Sequence, residues 1–296
     1  GDAKVLCFGD SAENSLRISL RFAKDFAELP QKHQLCCVQV VFEKFGKRWQ
    51  ANLGEPCDLS VSTGPGGDNP SAFFIAPAEF APIRVGDFVG AVAEGGSANC
   101  EVLTLCAHGN GTHTECVGHI TEVKVVLGDV LQEFWFDAQV VTVDIGSVGY
   151  VRLADVKSWS LLGTKALVVR SIPNGIDKKQ QIWSGNRAPY FEPSALAFLR
   201  EAGIMHLLTD FPSVDPEEDE GKLSAHHEWW GVPQRVTGGN VSRLGAAHPR
   251  LGATITELIY VPASVADGLY LLNLQVPNLR TDAVPSRPVL YACTEG

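Results

Sequence analysis

The segment on which the interpretation of this chain depends runs from residue 108 to residue 119 and reads HGNGTHTECVGH. It places three of the chain's eight histidines and one glutamate within twelve residues. In an extended chain, side chains two residues apart point to the same side, and His113, Glu115 and His119 share that parity. An extended segment would therefore aim all three side chains at one point.

These residue types are the ones that hold metal ions. Imidazole and carboxylate bind first-row cations, and their mixture suits zinc, manganese or iron. Gly109 and Gly111 let the backbone fold His108 back toward the same point. The spacing differs from HExxH on a helix, which disfavours a zincin-type protease. The alternative is a set of unrelated histidines in a polar loop, but the segment favours a divalent-metal site.

The composition around this segment is that of a globular protein. The chain has 296 residues, of which 45% are hydrophobic and 20% are charged, enough for a substantial core. No apolar run approaches the roughly 18–20 residues of a membrane span, so no membrane partner is expected. Residues 1–10 lack a basic stretch followed by an apolar one, so no signal peptide is expected either. The net charge of −10 comes without a basic stripe, which argues against nucleic acid as a partner.

The cysteines indicate a cellular setting. The eight cysteines form no CxxC pair and no small-domain disulfide framework, so a reduced, cytoplasmic location is expected.

Hydrophobic periodicity predicts more strand than helix. The cleanest helix is predicted over residues 193–202, with Pro193 in the first turn and Gly203 at the C-terminal cap. No composition break marks a domain boundary, so one α/β domain is favoured. Neither a Gly-x-Ser-x-Gly elbow nor a glycine-rich phosphate loop is present. Strands are predicted at residues 16–22, 36–42, 58–61, 123–127, 138–145, 166–170, 254–261 and 269–276.

The segment 111–119 resembles the signature of the cyclase family of metal-dependent hydrolases, His-x-Gly-Thr-His-x-Asp-x-Pro-x-His. Kynurenine formamidases and isatin hydrolase belong to that family. Three positions depart from the signature. Glu115 replaces the aspartate, Val117 replaces the proline, and Gly109 occupies the place of the first histidine, which His108 precedes. A loop longer by one residue would return His108 to the metal.

The resemblance continues downstream and covers roughly residues 58–292. Residues 202–204 and 210–216 are similar to the family's segment after its long helix. His226 lies where the family provides a later histidine ligand, and Glu257 lies on the strand that provides a glutamate ligand. The long gap between them implies an insertion near residues 232–252. Residues 1–57 are left as an N-terminal extension, with an oligomerisation arm as one interpretation, before a cyclase-like domain over 58–296.

The resemblance implies a fold, a site and an activity. The fold is a β/β/α swivelling-domain-like arrangement whose mixed sheet curls toward a barrel. The activity is hydrolysis of a C–N bond in an amide, formamide or lactam by metal-activated water. His119 and Glu257 are the implied catalytic residues. The implied cofactor is one or two divalent ions, zinc first and manganese as the alternative, and the implied metal ligands are His108, His113, Glu115, His119, His226 and Glu257.

Two further expectations accompany that function. The partner is a small-molecule substrate, and the chain is expected to form a homodimer or homotetramer, as family members do. The rival interpretation is a catalytically inactive relative that binds a metal or another ligand.

Several other residues are open to two interpretations. His226 and His227 are adjacent and point in different directions, and only the resemblance selects His226. Trp229 and Trp230 either line a substrate pocket or, more commonly, pack in the core. His206 lies in an apolar stretch and is interpreted as a core histidine.

Two acidic residues and two cysteines are equally ambiguous. Asp210 and Asp215 either orient ligands or cap a turn. Cys106 and Cys116 flank the histidine segment as extra thiolate ligands or, more commonly, as packing residues.

Overall fold

The computed structural model describes residues 38–66, 69–234 and 248–296, together with the backbone of two strands nearer the N-terminus. The strands are β1 (Val5–Phe8), β2 (Leu16–Ser19), β3 (Gln39–Lys44), β4 (Lys47–Asn52), β5 (Cys57–Asp58), β6 (Glu79–Pro82), β7 (Arg84–Val85), β8 (Phe88–Val89), β9 (Glu101–Thr104), β10 (His113–Cys116), β11 (Trp135–Asp144), β12 (Tyr150–Val151), β13 (Ala166–Ile172), β14 (Tyr190–Phe191), β15 (His206–Thr209), β16 (Thr254–Glu257), β17 (Gly268–Asn273), β18 (Ala283–Pro285) and β19 (Val289–Glu295). The helices are α1 (Leu127–Val130), α2 (Leu153–Ser158), α3 (Pro193–Glu201) and α4 (Ser224–Trp230), and 3₁₀ turns lie at Val92–Glu94, Val117–Ile120 and Ile176–Gln180.

Within the described residues, the largest sheet has eleven strands and is mixed. Its order is β18-β10-β16-β15-β13-β11-β17-β19-β4-β3, and β5 pairs with β19. The central strands β11, β13, β15 and β16 run parallel to one another, whereas β10 and β18 on one side and β17, β19, β4 and β3 on the other are antiparallel to their neighbours. The mixed α/β fold predicted from the sequence is confirmed, and the barrel-like curl of the sheet stays a prediction.

Apolar side chains cover both faces of the central strands. In β13, every residue from Ala166 to Ser171 is buried, as expected for a parallel strand enclosed on both sides. On one face Leu167 and Val169 pack in a cluster with residues of α2, α3 and α4. On the other face Ala166 and Val168 pack with residues of β11, β17 and β19.

Helix α3 forms where the sequence predicts it. Pro193 opens the helix, and Gly203 adopts a left-handed φ of 85° just after its end. Ala195, Leu196 and Leu199 are fully buried, so the apolar stripe faces the core.

One predicted strand does not form, and others end earlier than predicted. Residues 123–127 form no strand, and the carbonyl of Val125 accepts from the thiol of Cys116 at 3.6 Å instead of pairing with a strand. Leu127 instead begins α1 and donates its N–H to the carbonyl of Thr281 at 3.0 Å. The strand predicted over 254–261 stops at Glu257, because Leu258 has a φ of 55° and leaves the extended region.

The N-terminal part of the described chain joins the main sheet. Strand β4 pairs with β19 and carries β3 beside it. The predicted strand over 58–61 reduces to β5, and those over 16–22 and 36–42 extend into residues that lie outside the described part. The boundary at residue 57 and the oligomerisation arm stay predictions. No helix in the described ranges is long and apolar enough to cross a bilayer.

His206 in β15 is a core histidine, as the sequence indicates. The side chain is 4% exposed, and its ring centroid lies 4.0 Å from that of Phe136. Its Nδ1 lies 2.9 Å from the hydroxyl of Thr254. Burial, assisted by the charges of Lys165 and Arg250, lowers the pKa of His206 to about 3.

This histidine predicts a pH dependence of stability. Because its folded pKa lies below the ordinary value of 6.5, the neutral ring stabilises the fold above that value, and this stability is lost as the pH falls toward 3. At about 1.4 kcal/mol per pH unit, the loss amounts to about 3 kcal/mol over the first two units below 6.5. We expect His206→Asn to remove that slope in urea unfolding of chelator-treated protein. His248→Asn serves as control, and equal slopes in wild type and His206→Asn contradict the prediction.

Candidate metal centre

Strand β10 supplies two of the predicted ligands on one face. His113 and Glu115 alternate along the strand and are fully buried. The extended conformation ends at Cys116, so the expectation that one extended segment also aims His119 was wrong. The 3₁₀ turn Val117–Ile120 instead brings His119 back, with its Nδ1 3.8 Å from Oε2 of Glu115.

The glycine-hinged loop before β10 returns His108 to this point. Its Nδ1 lies 3.2 Å from Oε2 of Glu115, despite the one-residue shift from the family signature. Gly111 has a φ of 147°, and a Cβ there would collide with the hydroxyl of Thr63. Gly109 lies so close to Ile75 that a Cβ would approach its side chain to 2.6 Å. Gly111 is therefore required by its conformation, and Gly109 is favoured by the close packing of Ile75.

Helix α4 adds His226, which lies 111 residues further along the chain than Glu115. Its Nε2 lies 3.0 Å from Oε1 of Glu115, and its Nδ1 lies 2.5 Å from Oδ2 of Asp215. Asp215 also accepts the backbone N–H groups of Ala225 and His226. Of its two alternative roles, Asp215 therefore has that of orienting a histidine, and its carboxylate also accepts the first N–H groups of α4. His227 turns away and pairs with the carbonyl of Val232 at 2.8 Å.

Glu257 faces His113 directly across the β10–β16 pair. The register places the two residues opposite each other, and His113 Nε2 lies 3.2 Å from Glu257 Oε2. The other oxygen of Glu257 accepts the N–H of Val214 at 2.8 Å. All six predicted ligands therefore lie in one connected cluster.

Sequence reasoning missed one carboxylate of this cluster. Asp282 lies just before β18, and its Oδ2 is 3.2 Å from His108 Nε2 and 3.5 Å from His119 Nδ1. It lies outside the histidine segment and outside the ligand set that the resemblance implied. Only the pairing of β18 with β10 brings it close.

In the cluster, each carboxylate faces one or more imidazoles, and the two kinds of group shift each other's pKa. Burial alone lowers the pKa of His108, but the neighbouring carboxylates of Asp282 and Glu115 outweigh it and raise the pKa to about 10. Burial would raise the pKa of Glu115, yet the facing His119 and His226 hold it well below its usual value. Hydrogen bonds from His108 and His119 lower the pKa of Asp282. A divalent cation can replace the protons that balance these carboxylates.

Two orphaned atoms indicate what the cluster fits. His113 Nε2 and Glu115 Oε2 are buried and lack a hydrogen-bond partner of good geometry. Donor atoms of His108, His113 and Glu115 all lie within 4.8 Å of one another, as do those of Glu115, His119 and His226. Neighbouring ligands of one tetrahedral zinc, at about 2.0–2.1 Å each, lie about 3.3 Å apart. The donor set and its spacing therefore fit a cation.

The remaining candidates lie elsewhere or pack. Trp229 and Trp230 are fully buried and belong to the core cluster under α3. Cys116 is buried, and burial raises the pKa of its thiol to about 12, which disfavours a thiolate ligand. Cys106 does not join the cation-binding groups found among the described residues. Asp210 pairs with Lys178 at 2.7 Å, away from the cluster.

The mixed α/β sheet carries a histidine–carboxylate cluster that fits a cation, and comparison with known proteins identifies the family. The family model named Cyclase matches residues 38–216, more than half of the chain. The chain belongs to the cyclase family. The resemblance read from the sequence is thereby confirmed.

Individual relatives are distant. Kynurenine formamidase of Bacillus cereus is 26% identical over 178 residues, which cover 60% of this chain and 75% of the relative. That of Bacillus anthracis is 25% identical over the same length, with the same coverage of each chain. At these identities the chains are related in sequence, and the substrate of the relatives is not assigned to this chain.

Solved structures share the fold. Isatin hydrolase A from Labrenzia aggregata superposes with a TM-score of 0.58 at 14% identity, covering 80% of this chain and 93% of that one. A structure described as a predicted metal-dependent hydrolase from Bacillus stearothermophilus gives a TM-score of 0.54 at 13% identity, covering 80% and 98%. At these identities the similarity establishes the architecture.

Proposed function

We propose that this chain is a metal-dependent amidohydrolase that cleaves a non-peptide C–N bond of an amide, formamide or lactam. The observation that carries the proposal is the convergence of His108, His113 and Glu115, two of whose buried donor atoms lack hydrogen-bond partners. The names of the relatives support this bond type, since the chain is similar to kynurenine formamidases and to isatin hydrolases.

The proposed ligands are the imidazoles and the carboxylate that meet at Glu115. His108, His113 and Glu115 would hold one divalent cation, whereas the free nitrogen of His226 groups with Glu115 and His119. When bound, the cation supplies Lewis acidity, which polarises a carbonyl and lowers the pKa of water toward about 7. Zinc is proposed first and manganese second. The group of Glu115, His119 and His226 is the proposed place for a second ion.

When only the first ion is bound, His119 is the proposed proton carrier. It is 25% exposed at the side chain, whereas His113 and Glu115 are fully buried, so it can reach both the site and a substrate. Its imidazole takes the proton released when water attacks the carbonyl carbon and delivers it to the nitrogen as the C–N bond breaks. Glu257 holds His113 in orientation and is the second proposed acid–base group. The products are a carboxylic acid and an amine.

The proposal also includes a partner, an oligomeric state and a cellular location. We expect a small-molecule substrate, a homodimer or homotetramer and a cytoplasmic location.

The proposal predicts a metal-dependent turnover. Protein purified without chelators should carry one or two equivalents of zinc or manganese by elemental analysis. It should hydrolyse members of a panel of aryl formamides, lactams and cyclic imides, lose that activity on chelation and regain it on addition of zinc or manganese. His113→Ala should lose bound metal, whereas His227→Ala, a histidine turned away from the cluster, should keep it.

Each other outcome has a definite meaning. Metal without turnover on the whole panel favours the inactive, metal-binding relative. Absence of metal overturns the proposal, and full metal occupancy in His113→Ala overturns the assignment of the site.

A further inference from the structure

We propose that Asp282 is a positioning residue of the metal centre, which holds His108 from behind so that the other ring nitrogen faces the cation. This inference rests on the proposed function only in requiring that the site binds a cation. It adds to the family signature a carboxylate from outside the histidine segment.

The two nitrogens of His108 face different carboxylates. Nδ1 lies 3.2 Å from Glu115 Oε2, which is one of the orphaned buried atoms. Nε2 lies 3.2 Å from Asp282 Oδ2. When Nε2 donates its proton to Asp282, the lone pair of Nδ1 is directed at the point shared with Glu115. Asp282 thereby fixes both the tautomer and the ring orientation.

The same arrangement occurs on the other side of the site. His226 has Nδ1 against Asp215 and Nε2 against Glu115. Glu115 therefore stands between two imidazoles, each of which has a further carboxylate on its far nitrogen. His108 faces Asp282 with Nε2 and Glu115 with Nδ1, whereas His226 faces Asp215 with Nδ1 and Glu115 with Nε2.

The fold builds Asp282 into the histidine segment. The N–H of Cys116 donates to the carbonyl of Asp282 at 3.0 Å, which ties its backbone to the end of β10. A Cβ on Gly118 would lie 3.1 Å from Cβ of Asp282, so Asp282 packs closely against the histidine segment, although the carbonyl oxygen of Val125, at 2.2 Å, is what requires the glycine. The hydroxyl of Thr281 donates to Asp282 Oδ1 at 3.0 Å and leaves Oδ2 for the imidazoles.

This placement also explains how the shifted first histidine is held. His108 precedes the family position by one residue, and its side chain is 24% exposed. A partly exposed imidazole on a glycine-hinged loop has several orientations open to it. The carboxylate of Asp282 selects one of these orientations. The backbone of Asp282 is itself held by its hydrogen bond to Cys116 at the end of β10.

The test measures the ion rather than the turnover. We expect Asp282→Asn and Asp282→Ala to weaken zinc binding by about 10–100-fold in chelator competition, the usual effect of losing a group that orients a ligand. Zinc stoichiometry should be unchanged. Long-range ¹H–¹⁵N NMR of the zinc-bound wild type should show His108 protonated at Nε2, and Asp282→Ala should lose that signature. Asp129→Asn, an exposed acid paired with Arg280, is the matched control.

The outcomes separate this inference from the proposed function. Wild-type affinity in Asp282→Ala overturns the inference, and a lower stoichiometry overturns it in favour of Asp282 as a direct ligand. If the wild type binds zinc but hydrolyses nothing, the proposed function fails while the affinity comparison still decides the role of Asp282. Asp282→Asn keeps the shape of the side chain. If Asp282→Ala does not fold, circular dichroism verifies the fold of Asp282→Asn, and the zinc affinity of that variant decides the test.

Discussion

Glu115→Gln is expected to weaken binding of zinc or manganese by at least about 100-fold and to remove metal-dependent turnover. Groups that merely orient ligands already cost about 10–100-fold when changed. Glu115 is fully buried, and its two oxygens face His226 at 3.0 Å and His108 at 3.2 Å. The amide keeps the shape but replaces a charged oxygen with an N–H donor aimed at imidazoles. The central anionic ligand is therefore lost without a large change in packing.

Affinity is measured by chelator competition and occupancy by elemental analysis. Glu101→Gln, the same exchange on an exposed strand, should bind as the wild type does. Glu115→Asp restores the residue of the family signature and keeps the charge, so its affinity should lie closer to the wild type than that of Glu115→Gln. Unchanged affinity in Glu115→Gln would place the ion elsewhere.

Trp230→Ala is expected to lower the free energy of unfolding by about 3–5 kcal/mol, the usual cost of removing a large aromatic side chain from a core. Trp230 is fully buried at the end of α4, and its indole N–H donates to the carbonyl of Ala253 at 2.9 Å. Its ring stacks on that of His226 with centroids 5.8 Å apart. The same substitution should therefore also weaken cation binding, since His226 loses one wall of its pocket.

Urea unfolding of chelator-treated protein gives the stability, and chelator competition gives the affinity. Trp159→Ala, at a partly buried position after α2, should cost less and leave the affinity unchanged. Trp230→Phe should recover part of both losses because it keeps an aromatic face. A stable Trp230→Ala variant with full affinity would show that the tryptophan neither supports the core nor positions His226.

What the sequence predicts well is local. The helix at Pro193–Glu201 follows from its own proline, apolar stripe and glycine. The cluster around Glu115 follows from a twelve-residue segment and from a resemblance that names His226 and Glu257. Periodicity also locates β11, β13 and β17.

What it predicts poorly depends on distant partners. The segment 123–127 has the composition of a strand, but it pairs with no strand of the described sheet. Asp282 lies 174 residues from His108, and no local pattern connects them. Strand β16 ends because Leu258 has a left-handed φ, a conformation that a leucine in the sequence does not predict. Most of the implied insertion near residues 232–252 lies outside the described part of the chain.

The position of β10 in the sheet has a consequence for synthesis on the ribosome. Its hydrogen-bonding neighbours, β16 and β18, are both made long after it, the second ending at Pro285. At the usual rate of about 5–20 residues per second, that order leaves His113 and Glu115 without neighbouring strands for about 7–30 seconds. The nascent chain therefore leaves this stretch without its sheet partners until β16 and β18 have been made.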